Sequence, residues 1–176
     1  VEDFDETQRK VLDAFLCTKP EIQSAFTDSV KNQLINAWHE QKAWPGVAEA
    51  VKKLKQERRF EVYVHANGST RLQLDLVQSA GLQFDMLFSS ELLGSYKPAP
   101  ESYEKVLQLL KLTPDECVTV AAHSYDLRGA NSVGMKTVYV YRWTDDIMED
   151  QGTIKKEFDR YLLDMNGLDT AIVSLK

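Results

Sequence analysis

The chain has 176 residues, 43% hydrophobic and 27% charged, enough to bury one sizeable core and too few for two independent ones. Its formal charge of -6 and pI near 5.1 exclude the clustered Lys and Arg that nucleic acid or an anionic membrane surface rewards. No apolar run nears the ~18 residues of a membrane helix, no basic-then-apolar leader opens the chain, and Cys17 and Cys117 form no CxxC pair; an acidic cytoplasmic protein with two reduced thiols is expected.

The opening Asp3-Phe4-Asp5-Glu6-Thr7 sets two aspartates one residue apart before a threonine, as one large group of hydrolases presents its nucleophile. Such a nucleophile ends a buried strand, which needs about four or five apolar residues before it. Only Val1 and Glu2 precede it, and a charged amphipathic helix follows, "TQRKVLDAFL", with Val11, Ala14 and Phe15 at helical spacing. Asp5 therefore reads as the N-cap of that helix, with Gln8 at the capping-box position.

A second amphipathic helix runs from Asp28 to Gln41 with Val30, Leu34, Ala37 and Trp38 in phase, and a third carries Val47, Ala50, Val51 and Leu54. The period then changes. "RFEVYVHANG", "FDMLFSS", "CVTVAAH" and "KTVYVYR" are short runs rich in branched and aromatic residues, the signature of strands. Helices lie between them: "TRLQLDLVQSA" ended by Gly81, "PESYEKVLQLLKL" opened by Pro100, and "DLRGANSV" ended by Gly134. "WTDDIMEDQGTIKKEFDRYLLDMNG" is a charged excursion that reads as a solvated face, before a closing helix at "LDTAIVSL". Strand and helix alternate, which predicts an α/β fold with a parallel sheet covered on both faces and its chemistry at the carboxyl ends of the strands.

Three loops would meet at that edge. Asn67 offers amide donors beside a Gly-Ser-Thr turn that opens a helix, Lys97 precedes a proline as a fixed positive charge, and Asp126 could bond the lysine or a water. Each has a plain structural alternative: a turn, a surface lysine, an N-cap. His65 and His123 read as strand-end histidines, and with no ligand residues at metal spacing around them no metal site is expected.

In order and spacing, "INAWHEQKAWPGVAEAVKKLK", "VHANGSTRLQLDLV", "LFSSELLGSYKPAPESYEKVL" and "VAAHSYDLRGANSVGMKTVYVYRWTDD" are specific. From about Ala43 to Leu175 the chain resembles the haloacid dehalogenase superfamily, its L-2-haloacid dehalogenase-like branch and especially the fungal members of it. The resemblance implies a Rossmann-like three-layer α/β/α core over residues 46–176, preceded by a helical cap remnant over residues 1–45. It also implies an aspartate nucleophile on a central first strand, a covalent ester intermediate, a small carboxylate-type substrate and no cofactor. Carried over by position, Lys97 and Asp126 would be catalytic, and Asn67, Tyr103, His123, Ser69 and Thr70 would bind substrate, although Tyr103 also fits ordinary helix packing. Ala66, Ala121 and His123 depart from the hydroxyl and amide residues of the dehalogenase pattern. Ala122 replaces the metal-binding aspartate of the superfamily's phosphatases, which disfavours a magnesium-dependent phosphatase. The acidic opening matches the cap, so the first strand and its nucleophile are expected upstream of Val1. A chain of the present extent would leave strand edges open and would associate, as a homodimer, to cover them. The alternative function is a catalytically silent binding module of the same fold.

Overall fold

The computed structural model describes residues 3–57 and 60–175. Arg59, the first residue of one predicted strand, and Val1 and Glu2 lie outside the described residues. Helix α1 (Phe4–Cys17) is followed by the short α2 (Pro20–Gln23), by α3 (Asp28–Asn36) and by a 3-10 turn at Ala37–His39. The acidic opening does start a helix, but the capping residue is Asp3 rather than Asp5. The extended backbone of Asp3 lets its Oδ1 accept the amide of Glu6 at 3.0 Å, while Asp5 falls in the first turn. In these helices Leu16 and Ile35 are the buried residues, and the striped residues Val11, Phe15, Leu34 and Trp38 stay largely exposed.

Beyond Gly46, α4 (Val47–Gln56) leads to β1 (Tyr63–Ala66), α5 (Thr70–Ser79), β2 (Met86–Ser89) and α6 (Ser90–Leu93). The chain continues through α7 (Pro100–Leu110), β3 (Val118–Ala121), α8 (Ser124–Ser132) and β4 (Lys136–Val140). It closes with α9 (Gln151–Glu157), β5 (Arg160–Leu162) and α10 (Leu168–Val173). All pairings are parallel, as the alternation predicts, in two sheets, β1-β2 and β3-β4-β5. The charged stretch 143–167 thus holds a helix and an edge strand as well as a solvated face.

Period-2 alternation builds the layers. Val138 and Val140 of β4 point into a cluster with Ala50 and Leu54 of α4 and Leu168 and Ile172 of α10, while Tyr139 points the other way against Leu127, Ile154 and Phe158. Full burial of such aliphatic and aromatic side chains is worth about 1.5–3 kcal/mol each, so helices on both faces hold β4 at the centre of its sheet. Phe60 and Val62, just before β1, pack into the first cluster and join the two sheets. A third cluster of Phe88, Leu93 and Val106 supports β2. Within the described residues β1 and β3 each carry a partner on one side only; Val120 of β3 is 37% exposed although it belongs to an apolar run. No described helix is long and apolar enough to cross a membrane. Both cysteines are free thiols.

Candidate active site

Asn67 follows β1, and its side-chain amide grips the main chain of Lys97. Oδ1 accepts the Lys97 amide at 2.8 Å and Nδ2 donates to the Lys97 carbonyl at 2.9 Å. Lys97 and Pro98 are joined by a cis peptide bond, and the lysine reaches across to the other sheet: its Nζ donates to Asp126 Oδ2 at 2.7 Å. The side chains are only 13% and 8% exposed. Sequence order placed these groups at one rim, and they form a direct, largely desolvated ion pair there. Asp126 sits in the first turn of α8, where the helix dipole also favours a carboxylate. Its other oxygen, Oδ1, is buried and has no hydrogen-bond partner among the described residues.

Tyr103 of α7 is buried, and its hydroxyl donates to the Asp126 carbonyl at 2.8 Å. Burial, and then the Asp126 charge, push that phenol well above its ordinary value, so it remains a donor throughout the physiological range. The tyrosine fixes the start of α8 from behind. Close beside it, Gly129 leaves no room for a side chain: a Cβ there would lie 2.7 Å from the Pro98 carbonyl oxygen and 2.8 Å from the Tyr103 ring. The hydroxyls of Ser69 and Thr70 have local partners. Ser69 caps α5 by accepting the Leu72 amide, Thr70 shares a hydrogen bond with buried Ser89, and the Thr70 amide donates to Glu91. Ser90 closes the same loop by bonding both the amide and the carbonyl of Gly68.

His123 stands at the N-cap of α8, stacked on Tyr125 and bonded through Nδ1 to Asp146 at 3.3 Å. Asp146, in a left-handed backbone conformation, also accepts the Ser124 amide at 2.6 Å and the Tyr139 hydroxyl. Sequence reading missed this anchor because Asp145 and Asp146 sit in the charged excursion. The available signal was an acidic pair in the loop that follows β4. Among the described residues no three His, Cys, Asp or Glu side chains are grouped to hold a metal ion.

His65 in β1 meets Ser102 of α7 through Nε2 at 2.9 Å and packs edge-on against Tyr103. Burial, reinforced by the Lys97 charge, lowers its pKa from 6.5 to about 4. A base depressed in the folded state stabilises fully above its unfolded value, and that stability is lost as pH falls from about 6.5 through about 4. Urea unfolding of the protein is therefore expected to lose on the order of 3 kcal/mol across that window from this residue, and His65→Gln is expected to flatten the slope.

In chemical terms the rim offers an ammonium with further N–H capacity, a carboxylate oxygen awaiting a donor, and a lysine held from its main chain. Known proteins with comparable sequences include (S)-2-haloacid dehalogenases and, at similar identity, a glyceraldehyde 3-phosphate phosphatase of Pyrococcus furiosus, 30% identical over 98 residues, 54% of this chain and 40% of that protein. A model of the haloacid dehalogenase-like hydrolases matches residues 3–134. (S)-2-haloacid dehalogenase 4A of Burkholderia cepacia is 30% identical over 115 residues, 64% of this chain and 49% of that protein. (S)-2-haloacid dehalogenase 1 of Pseudomonas sp. (strain CBS-3) is 28% identical over 115 residues, 64% and 50%. The crystal structure of an L-2-haloacid dehalogenase superposes with a TM-score of 0.83 at 27% identity, covering 99% of this chain and 73% of that one. The chain thus spans about half the length of these curated relatives.

Proposed function

The chain belongs to the haloacid dehalogenase-like hydrolases, and from that premise we propose that the protein hydrolyses a small 2-haloacid or a related carboxylate electrophile without a metal. On this reading an aspartate on a strand upstream of Val1, seated between β1 and β3, attacks the halogen-bearing carbon. The new C–O bond forms as the carbon–halogen bond breaks, and halide leaves with the electron pair. Water then cleaves the ester at the aspartyl carbonyl, releasing the 2-hydroxy acid and restoring the carboxylate. Lys97 steadies the attacking carboxylate and the substrate's own carboxylate, with Asp126 holding it in place. Asn67 and Tyr103 act on that pair through the main chains of Lys97 and Asp126, while Ser69, Thr70 and His123 stand in the loops that border it. The single observation that carries the reading is the buried Lys97–Asp126 pair with its unpartnered Oδ1. Ala122 supports metal independence, because a dianionic phosphoryl substrate needs a cation that this position cannot help to hold. The helical segment 1–45 serves as a cap, and exposed Val11, Phe15, Leu34 and Trp38 support a homodimer.

The test is halide release from 2-chloropropionate by protein that carries the upstream segment. Steady release that Lys97→Ala abolishes supports the reading, and no release from any 2-haloacid overturns the haloacid as substrate and points to another substrate for a hydrolase of this fold. A second reading, a silent module that binds a carboxylate without turning it over, is favoured by Ala66 and Ala121, which lack the expected hydroxyl at the ends of β1 and β3. Saturable haloacid binding with no halide release would single it out.

A further inference from the structure

The one histidine of the N-terminal helices joins three segments that are remote in sequence. His39, in the 3-10 turn, directs Nδ1 at Asp75 Oδ2 of α5, 2.8 Å away, and Nε2 at Asp5 Oδ1 of α1, 3.0 Å away. Carboxylates only accept, so two such contacts on one imidazole require a hydrogen on each nitrogen and hence the cationic ring. The ring is 15% exposed, which makes a neutral, singly donating tautomer facing two carboxylates costly on one side.

From this geometry we propose that His39 is a pH-sensitive latch, an imidazolium that pins the first turn of α1 to α5 and releases it on deprotonation. The latch lies next to the loop that holds Lys97. Phe4, in the same turn of α1, packs edge-on against Trp38, and its ring approaches to 3.8 Å the point where a Cβ on Gly68 would stand. The charges that face His39 are Asp5 from α1 and Asp75 from α5, the latter shared with Arg71. The neighbouring charges of α3 are engaged elsewhere, Asp28 with Arg9 and Lys31 with Asp13. Partial burial opposes the cation, and the bonds to Asp5 and Asp75 outweigh it, so the imidazole is held above its ordinary 6.5. A base raised in this way stabilises fully below its unfolded value, and the stabilisation is lost as pH rises through the folded one. The latch is independent of whatever reaction occurs at Lys97.

Two measurements test it. Long-range proton–nitrogen spectra of the imidazoles are expected to show His39 protonated on both nitrogens at pH 6 and titrating above 6.5, with Asp75→Asn bringing it down. Hydrogen exchange, corrected for the intrinsic pH effect, is expected to speed up about tenfold in α1 but not in α7 between pH 6 and pH 9. His39→Gln should make α1 fast at both values. Asp5→Asn, which keeps the side-chain shape, gives the same comparison should His39→Gln fold poorly. A single-N–H tautomer at pH 6, or an α1 exchange rate indifferent to pH and to both substitutions, overturns the proposal.

Discussion

Lys97→Ala is expected to destabilise the fold by about 3–5 kcal/mol, the cost of stranding a buried carboxylate when its partner is removed, and to abolish turnover. Asp126 is the group left behind: 8% exposed, with one oxygen unpartnered among the described residues. Urea denaturation at pH 7 measures the loss as a lower midpoint at unchanged slope. The informative control is Lys97→Ala combined with Asp126→Asn. An amide needs no counter-charge, so the double variant is expected to recover part of the lost stability while staying inactive. A double variant no more stable than Lys97→Ala would mean that the lysine stabilises through packing of its stem rather than through the pair.

The second large effect is expected at Gly129. In the interior of α8 an alanine should help by about 1 kcal/mol on helix propensity alone. Here the added methyl would meet the Pro98 carbonyl at 2.7 Å and Tyr103 at 2.8 Å. Backbone on one side and a fully buried ring on the other give no room to yield, so overpacking wins and Gly129→Ala should cost about 1–3 kcal/mol net. The same wedge pushes the Lys97–Pro98 loop away from α8, so activity should fall further than stability. Gly152→Ala is the matched control. Its nearest neighbour is the carboxylate of exposed Asp150, the cap of α9, at 3.4 Å, an ordinary van der Waals separation, and no loss is expected. Equal thermal midpoints for Gly129→Ala and Gly152→Ala would show that α8 can slide away from the lysine loop.

Much of this was legible in the letters. β1 to β4 fall within the predicted runs because the switch from helical to alternating periodicity is a property of the chain itself. Lys97 and Asp126 were legible as partners because parallel strands bring loops distant in sequence to one rim. β5 was not, since three residues between Asp159 and Leu163 carry no alternation of their own; the free edge of β4 makes them a strand. Either Asp3 or Asp5 satisfies the local capping rule, and only tertiary packing, which commits Asp5 to His39, separates them. Nor could the letters tell that the amide of Asn67 is spent on a neighbouring main chain, or that Tyr103 aims its hydroxyl at a carbonyl, because the first depends on how close the loop after β1 comes to the lysine loop and the second on how close α7 comes to α8.

The grip of Asn67 on Lys97 has one more consequence. An uncharged amide bonded to peptide groups ignores dissolved ions, so the placement of the lysine's main chain does not depend on ionic strength. The N-terminal helices are braced instead by ion pairs open to solvent, such as Arg9 with Asp28, and at about 1 M salt, where screening acts over about 3 Å, these weaken. Brine should therefore slacken the helices around an undisturbed lysine backbone.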